Sequence, residues 1–363
     1  MLIIDAHEDF AYNALNNGRD YRLSAMEIRQ READTAIPEL AGQATLGFPD
    51  YQRGQVGLIF GTVFTTHKRY ASGEHEKLVY TDFNQARRLY HQQMDYYHAL
   101  ADREHELFRL VRNRQELAET LAPWDKQPAD FPTVQHPVGI LMLMEGAEGI
   151  EALDELEEYW QAGLRLIGPV WAGGHWCGGT VEPGGFTRPG YALLETMAGL
   201  GYVLDISHMN TESSLQALEA YEGTVIASHA NPRAMLKNPP NERHLTDDAI
   251  RRLVERGGVI GIVPYNAFID CSWGKGDDRS RVRLDHVVAL IDYVCQLAGS
   301  ARHVALGTDF DGGFGYPAIP LEMNTIADLQ KLAPALAAHG YTNEDIAGIF
   351  SGNWRGILEK ALP

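Results

Sequence analysis

The stretch Met1–Phe10, MLIIDAHEDF, decides how the rest of the chain is read. A short apolar run from Leu2 to Asp5 reads as a buried strand, and the polar residues His7 and Asp9 follow it at once. In an extended chain residues two apart point to the same side, so His7 and Asp9 project together from the strand's end. An imidazole and a carboxylate fixed side by side form a ligand pair for a divalent metal. The structural alternative is a strand end that meets water. The remainder of the chain bears on the choice, because it repeats the same design.

Apolar runs recur with regular punctuation. Strands are predicted to begin near Leu2, Gln55, Val138, Leu164, Tyr202, Thr224, Gly258 and Val304, eight in all. Helical segments fall between them, among them Thr81–Glu106, Arg188–Leu200, Thr211–Tyr221, Thr246–Arg256 and Val282–Ala298. Ser24 with Glu27 three residues on predicts a capped helix start. Gly42–Gly57 reads as loop, and Pro123–Pro137, with four prolines, as a surface loop. Most of the strands are apolar on both faces, as parallel strands covered by helices must be. Eight alternating β and α units predict an α/β protein of the (β/α)8 (TIM) barrel type. A doubly wound open sheet is disfavoured, since no G-x-G-x-x-G follows the first strand. With no linker or low-complexity segment, residues 1–363 are expected to form one domain.

Polar residues stand at one topological place. His7 and Asp9 end the first strand, Glu145 the third, His208 the fifth, His229 the sixth and Asp309 the eighth. In a barrel these positions share the C-terminal mouth, where active sites are built. Singly, each has an ordinary explanation: Glu145 as a helix cap, the histidines as hydrogen-bonded core groups, Asp309 as the start of a turn with Asp311 and Gly312. Six coincidences on one rim favour a shared metal site. Three histidines and two carboxylates exceed the needs of one four-coordinate zinc that keeps a position open. A carboxylate bridging two ions resolves the excess, and Glu145 is the candidate bridge. Asp309 is the candidate acid/base, since a carboxylate beside activated water can take its proton and pass it to a leaving group.

Composition narrows the partners. A formal net charge of −18 argues against nucleic acid and suits retention of divalent cations. No apolar stretch approaches the ~20 residues that span a bilayer, and no basic-then-apolar leader is recognisable. The three cysteines, Cys177, Cys271 and Cys295, are far apart and imply no disulfide framework. A soluble, cytoplasmic protein without a membrane partner is expected.

The chain resembles the membrane (renal) dipeptidase family of binuclear zinc metallopeptidases, peptidase family M19, within the amidohydrolase superfamily. The resemblance is carried by Asp5-Ala-His-Glu-Asp9, Met144-Glu-Gly146, Asp205-Ile-Ser-His208, Ala227-Ser-His229, Arg243-His-Leu-Thr-Asp247 and Gly307-Thr-Asp-Phe-Asp-Gly312. Tyr341-Thr-Asn-Glu-Asp345 and Gly352-Asn-Trp-Arg355 extend it nearly to the C-terminus. The resemblance implies two Zn²⁺ per chain. His7, Asp9 and Glu145 would hold one ion, and Glu145, His208 and His229 the other, with Glu145 in place of the superfamily's carbamylated lysine. It further implies a dipeptide substrate whose terminal carboxylate pairs with Arg243, attack by a metal-bridging hydroxide, proton transfer through Asp309, and a homodimer. One departure stands out. The family commonly has a histidine at the end of the fourth strand, where this chain has Trp171. His175 is a candidate substitute in substrate binding, or Trp171 and Trp176 wall the pocket. The rival readings are a lactonase or another amidohydrolase on the same scaffold, and a metal-retaining binding protein without turnover.

Overall fold

A computed structural model describes residues 1–126 and 134–363. The eight expected strands are present as β1 (Ile3–Glu8), β2 (Val56–Phe64), β3 (Val138–Glu145), β4 (Leu164–Gly168), β5 (Val203–Asp205), β6 (Val225–Ile226), β7 (Ile260–Ile262) and β8 (Val304–Leu306). Strands β1 to β6 pair in parallel in chain order, and β7 pairs with β8. Two parallel bridges complete the ring: Ala227 to Ile260 joins β6 to β7, and Glu8 to Phe310 joins β1 to the segment after β8. The result is the (β/α)8 barrel that the strand count predicts.

Both faces of the strands are buried, which explains their unbroken apolar runs. Alternate residues fall into two apolar clusters. Ile4, Ala6, Leu58, Phe60, Leu141, Leu143, Leu166, Val203, Ile226 and Ala305 pack together with Trp354 of the C-terminal helix. Their neighbours, such as Ile3, Ile59, Met142, Met144, Ile167, Leu204 and Ile262, pack with the helix layer instead. The first set therefore fills the barrel, and Glu145 continues the alternation of Leu141 and Leu143 to the barrel's mouth. In β1 the pairing register against β2 shifts between Asp5 and Glu8. Past that shift Glu8 turns to the helix side, where Tyr51 donates a hydrogen bond to it, while His7 turns inward.

Several boundaries differ from the sequence reading for local reasons. Gly42–Gly57 contains a helix, Phe48–Gly54, whose proline occupies the first turn, where the missing N–H costs nothing. Pro123 lies within the helix Arg114–Asp125, and the middle of the expected proline-rich loop, 127–133, falls outside the described residues. The segment Gly149–Ala162, which the sequence predicts as one helix, is helical only over Glu155–Gln161. The Ser24 cap is present, with Glu27 Oε2 accepting from the Ser24 N–H at 2.9 Å.

The barrel closes tightly where β6, β7 and β8 meet. A Cβ on Gly261 or on Gly307 would drive into the Ser228 carbonyl oxygen, so only glycine permits this approach. Gly307→Ala is expected to cost about 3 kcal/mol, the upper range for overpacking a tight site. Thermal unfolding of the metal-free variant should show Tm lowered by roughly 4 °C; an unchanged Tm would mean the seam has room.

Candidate metal centre

The six residues singled out at the strand ends converge at the barrel mouth. His7 Nε2 lies 3.5 Å from Glu145 Oε2 and 3.9 Å from both Asp9 Oδ1 and Asp309 Oδ1. The other oxygen of the same carboxylate, Glu145 Oε1, lies 2.6 Å from His208 Nε2 and 3.5 Å from His229 Nε2. Three groups each bring their ligand atoms within 4.8 Å of one another: His7, Asp9 and Glu145; Glu145, His208 and His229; His7, His229 and Asp309. A tetrahedral ion at ~2.0–2.2 Å from N and O donors spaces those donors roughly 3.3–3.6 Å apart. The 3.5 and 3.9 Å separations already approach that spacing. His208 and His229, with Nε2 atoms 3.0 Å apart, must spread a little to share an ion.

A second ring of hydrogen bonds aims the imidazoles. Asp205 Oδ1 accepts from the backbone N–H of Ser207 at 3.1 Å and of Ser228 at 2.9 Å, and both serine hydroxyls donate to the carboxylate. With its proton on Asp205, Ser228 Oγ is left to accept from His229 Nδ1, 2.8 Å away. Thr180 Oγ1 donates to the His208 carbonyl at 3.2 Å and faces His208 Nδ1 at 3.0 Å. His208 and His229 are thus set with Nδ1 protonated and the Nε2 lone pair facing the cluster, which is how outer groups orient metal-ligating histidines. Thr62 donates to Asp9 Oδ1, and Asp5 accepts from Thr308 N at 2.7 Å. Asp205 and Ser228 stand within the quoted motifs, three residues before His208 and one before His229, and that closeness to the histidines is the available sequence signal for their part.

Electrostatics match a site meant for cations. Burial alone would suppress protonation of His7, yet the charge of Glu145 and of Asp309 raises it to about 9. Burial would raise Glu145, but His208 and His7 hold it well below the usual carboxylate range. Burial and repulsion from Glu145 push Asp9 up to about 7, and burial with the nearby Asp9 and Glu145 holds Asp309 well above its ordinary value. His208 falls to about 4 through burial and the proximity of Arg243. His7 Nε2 is buried without a hydrogen-bond partner. Three crowded carboxylates and an orphaned imidazole nitrogen fit a divalent ion, which would relieve all of these strains together.

Around the centre, Arg243 is 2% exposed, and its Nη1 and Nη2 donate to the Ser207 and His229 carbonyls, the latter at 2.8 Å. Its Nε is buried and unpartnered. Trp171 follows β4 in a loop, with its ring 6.1 Å from that of His208 and 5.4 Å from Phe64. His175 is exposed and packs on Phe83 and Trp176, in contact with none of the cluster. Trp176 is core, its Nε1 donating to the Ala147 carbonyl at 2.9 Å.

The chain is similar to proteins already known. The family model described as membrane dipeptidase (peptidase family M19) matches residues 1–361. An uncharacterised Klebsiella pneumoniae protein is 31% identical over 60% of this chain and 80% of its own. Dipeptidase aclJ of Aspergillus oryzae is 25% identical over 98% of this chain and 77% of its own. Among solved structures, a Rhodobacter sphaeroides metallo peptidase liganded with a phosphinate mimic of L-Ala-D-Ala superposes with TM-score 0.77 at 22% identity, over 99% of each chain. A family M19 dipeptidase superposes with TM-score 0.76 at 23% identity, covering 100% of this chain and 99% of that one. No helix of the described residues is long and apolar enough to cross a membrane.

Because His7 is held near 9, a metal binding at neutral pH must displace its proton. Apparent metal affinity is therefore expected to rise about tenfold per pH unit below 9, or faster if the carboxylates also release protons, and then level off. Titration calorimetry at pH 7 in two buffers of different ionisation heat should report release of at least one proton; zero release would contradict a protonated His7.

Proposed function

The chain belongs to the membrane dipeptidase family, peptidase family M19, and from that membership we propose that it is a binuclear zinc dipeptidase working through the six residues at the barrel mouth. The observation that carries the proposal is the division of Glu145: one oxygen faces His7, the other faces His208 and His229. A carboxylate so divided suits a bridge between two ions ~3.5–4 Å apart. In this reading His7 and Asp9 complete one site, and His208 and His229 the other. Bound metal supplies Lewis acidity and lowers the pKa of water at the site.

This chain's own residues then have distinct tasks. Asp309 takes the proton of the attacking water and hands it to the departing amine nitrogen. Its side chain is 13% exposed, against 10% for Asp9 and 7% for Glu145, so it is the carboxylate that reaches furthest toward the substrate side. Arg243 binds the substrate's terminal carboxylate. Among the described residues its guanidinium touches carbonyls and no carboxylate, and a buried cation in that state favours an anionic ligand. Trp171, beside Phe64 and Tyr70, offers an apolar wall for a substrate side chain. His175 would reach substrate only through movement of its loop, so we give it no part in the reaction.

Asp309→Asn keeps the shape of the side chain but cannot accept the proton. On one sample of zinc-reconstituted variant, elemental analysis should give two ions per chain while kcat for an Xaa–Yaa dipeptide panel falls about 10²–10⁴-fold. Near-normal kcat with two ions bound would remove Asp309 as proton carrier. Loss of zinc with loss of activity would make it a ligand, and saturation of the wild type at one ion would end the binuclear reading. A lactone panel run in parallel separates the amidohydrolase alternative.

Recognition through Arg243 has its own test. C-terminally amidated dipeptides should lose about 10²-fold or more in kcat/KM, as for removal of a buried charged hydrogen bond of roughly 3 kcal/mol. Arg243→Lys should also be damaging, because an ammonium cannot reproduce the planar fork. Equal kcat/KM for free and amidated dipeptides would assign Arg243 to holding the strand ends alone.

A further inference from the structure

The segment after β8 holds an unusual backbone. Asp309 has φ 57° and Asp311 φ 65°, both in the left-handed region. Side chains rarely adopt this region and keep it only where their surroundings over-determine it. Those surroundings converge on Asp311, which is fully buried. Its Oδ1 accepts from both the N–H and the hydroxyl of Thr45 at 2.7 Å, and its Oδ2 accepts from the Tyr21 hydroxyl at 2.9 Å. Arg19 Nη1 forms an ion pair with Oδ2 at 3.0 Å. Arg19 is in turn fixed by Glu32, through Nε at 2.9 Å and Nη2 at 3.2 Å. One amide group, Asn13 Nδ2, donates to the Asp311 carbonyl at 2.7 Å and to the Asp9 carbonyl at 2.9 Å. On the other side of the turn Asp309 N donates to the His7 carbonyl at 3.1 Å, and Gly312 N to the Asp309 carbonyl at 2.9 Å. A Cβ on Gly312 would collide with Asp309 Oδ1, so the Asp309 carboxylate lies folded back across the turn.

We propose that Asp311 is a positioning residue: its buried ion pair with Arg19 locks the 309–312 turn in the left-handed conformation and thereby aims the Asp309 carboxylate at the metal ligands. The proposal rests on the reading of Asp309 as proton carrier. Two segments distant in sequence, one holding Arg19 and Tyr21 and the other Thr45, spend four polar contacts on this one carboxylate, and none of those contacts reaches the metal centre. Their common effect is on the turn.

Asp311→Asn tests the lock, because asparagine keeps the size, retains an acceptor for Thr45 and tolerates left-handed φ at least as well; what is lost is the charge and the acceptor oxygen that Arg19 and Tyr21 use. In the zinc-loaded variant kcat should fall about 10²-fold, the cost of a misplaced reacting group, with KM within about threefold and metal content unchanged. In an Asp309→Asn background the same change should lower kcat no further, since residues acting through one another are not additive. In metal-free protein, hydrogen exchange over residues 308–313 should speed up about tenfold or more while β2 and β3 are unaffected. A full additional loss on top of Asp309→Asn, or unchanged exchange in the turn, overturns the proposal. If Asp309→Asn itself leaves kcat intact, the acid/base reading fails and the exchange result alone decides the lock. Should Asp311→Asn not fold, Tyr21→Phe removes one contact to the same carboxylate. It should give smaller changes in the same direction, and no change in either readout would overturn the proposal.

Discussion

Glu145 is the constraint from which the site follows. A carboxylate at the mouth of an apolar barrel cannot remain charged there unless positive or hydrogen-bonding groups surround it. His7, His208 and His229 come from three different strand ends to do so, and Asp9 and Asp309 crowd two more carboxyl groups against it, both held above their ordinary pKa, which a divalent cation would relieve. The cluster is thus poorly satisfied by protein alone and well suited to metal. The Asp205, Ser207 and Ser228 network beneath it is the reverse case, a polar layer in which each donor has its acceptor. The rigid layer holds the imidazoles, and the strained layer above binds.

The fold and the gathering of these six polar residues at one rim were largely legible in the sequence because both follow from periodicity. Apolar runs ending in one polar residue read the same way whether or not strand lengths are known, so Glu145, His208, His229 and Asp309 could be placed on one rim even though β5 to β8 are only two or three residues long. For His7 and Asp9 the spacing of two sufficed. It worked through a register shift between Asp5 and Glu8 that no pattern announces. What remained hidden is what tertiary contact decides. The helix Phe48–Gly54 hides among glycine and proline because its stability comes from packing Tyr51 against Glu8 and Phe48 against Phe108. The Arg19–Asp311 pair links positions almost three hundred residues apart, and nothing local at Arg19 marks it.

Trp171 and His175 mark the boundary between what pattern and what geometry can give. Alignment from the fourth strand finds the departure from the family's histidine, and the structure leaves Trp171 near His208 while His175 faces away toward Phe83. An indole at that place brings apolar area and no ionisable nitrogen.

Closure of the barrel between Glu8 and Phe310 also has a meaning for the life of the nascent chain. Synthesis runs N-terminal first at ~5–20 residues per second, so His7 and Asp9 leave the ribosome roughly 15–60 s before Asp309. Throughout that interval β1, which is buried on both faces once folded, lacks its eighth-strand neighbour and presents an open edge. The two candidate ligand groups that share Glu145 complete at different times, His7, Asp9 and Glu145 first and Glu145, His208 and His229 only after β6 has been made. Both precede closure, and the first strand is a segment that a cell must keep from pairing with the wrong edge until β8 has emerged.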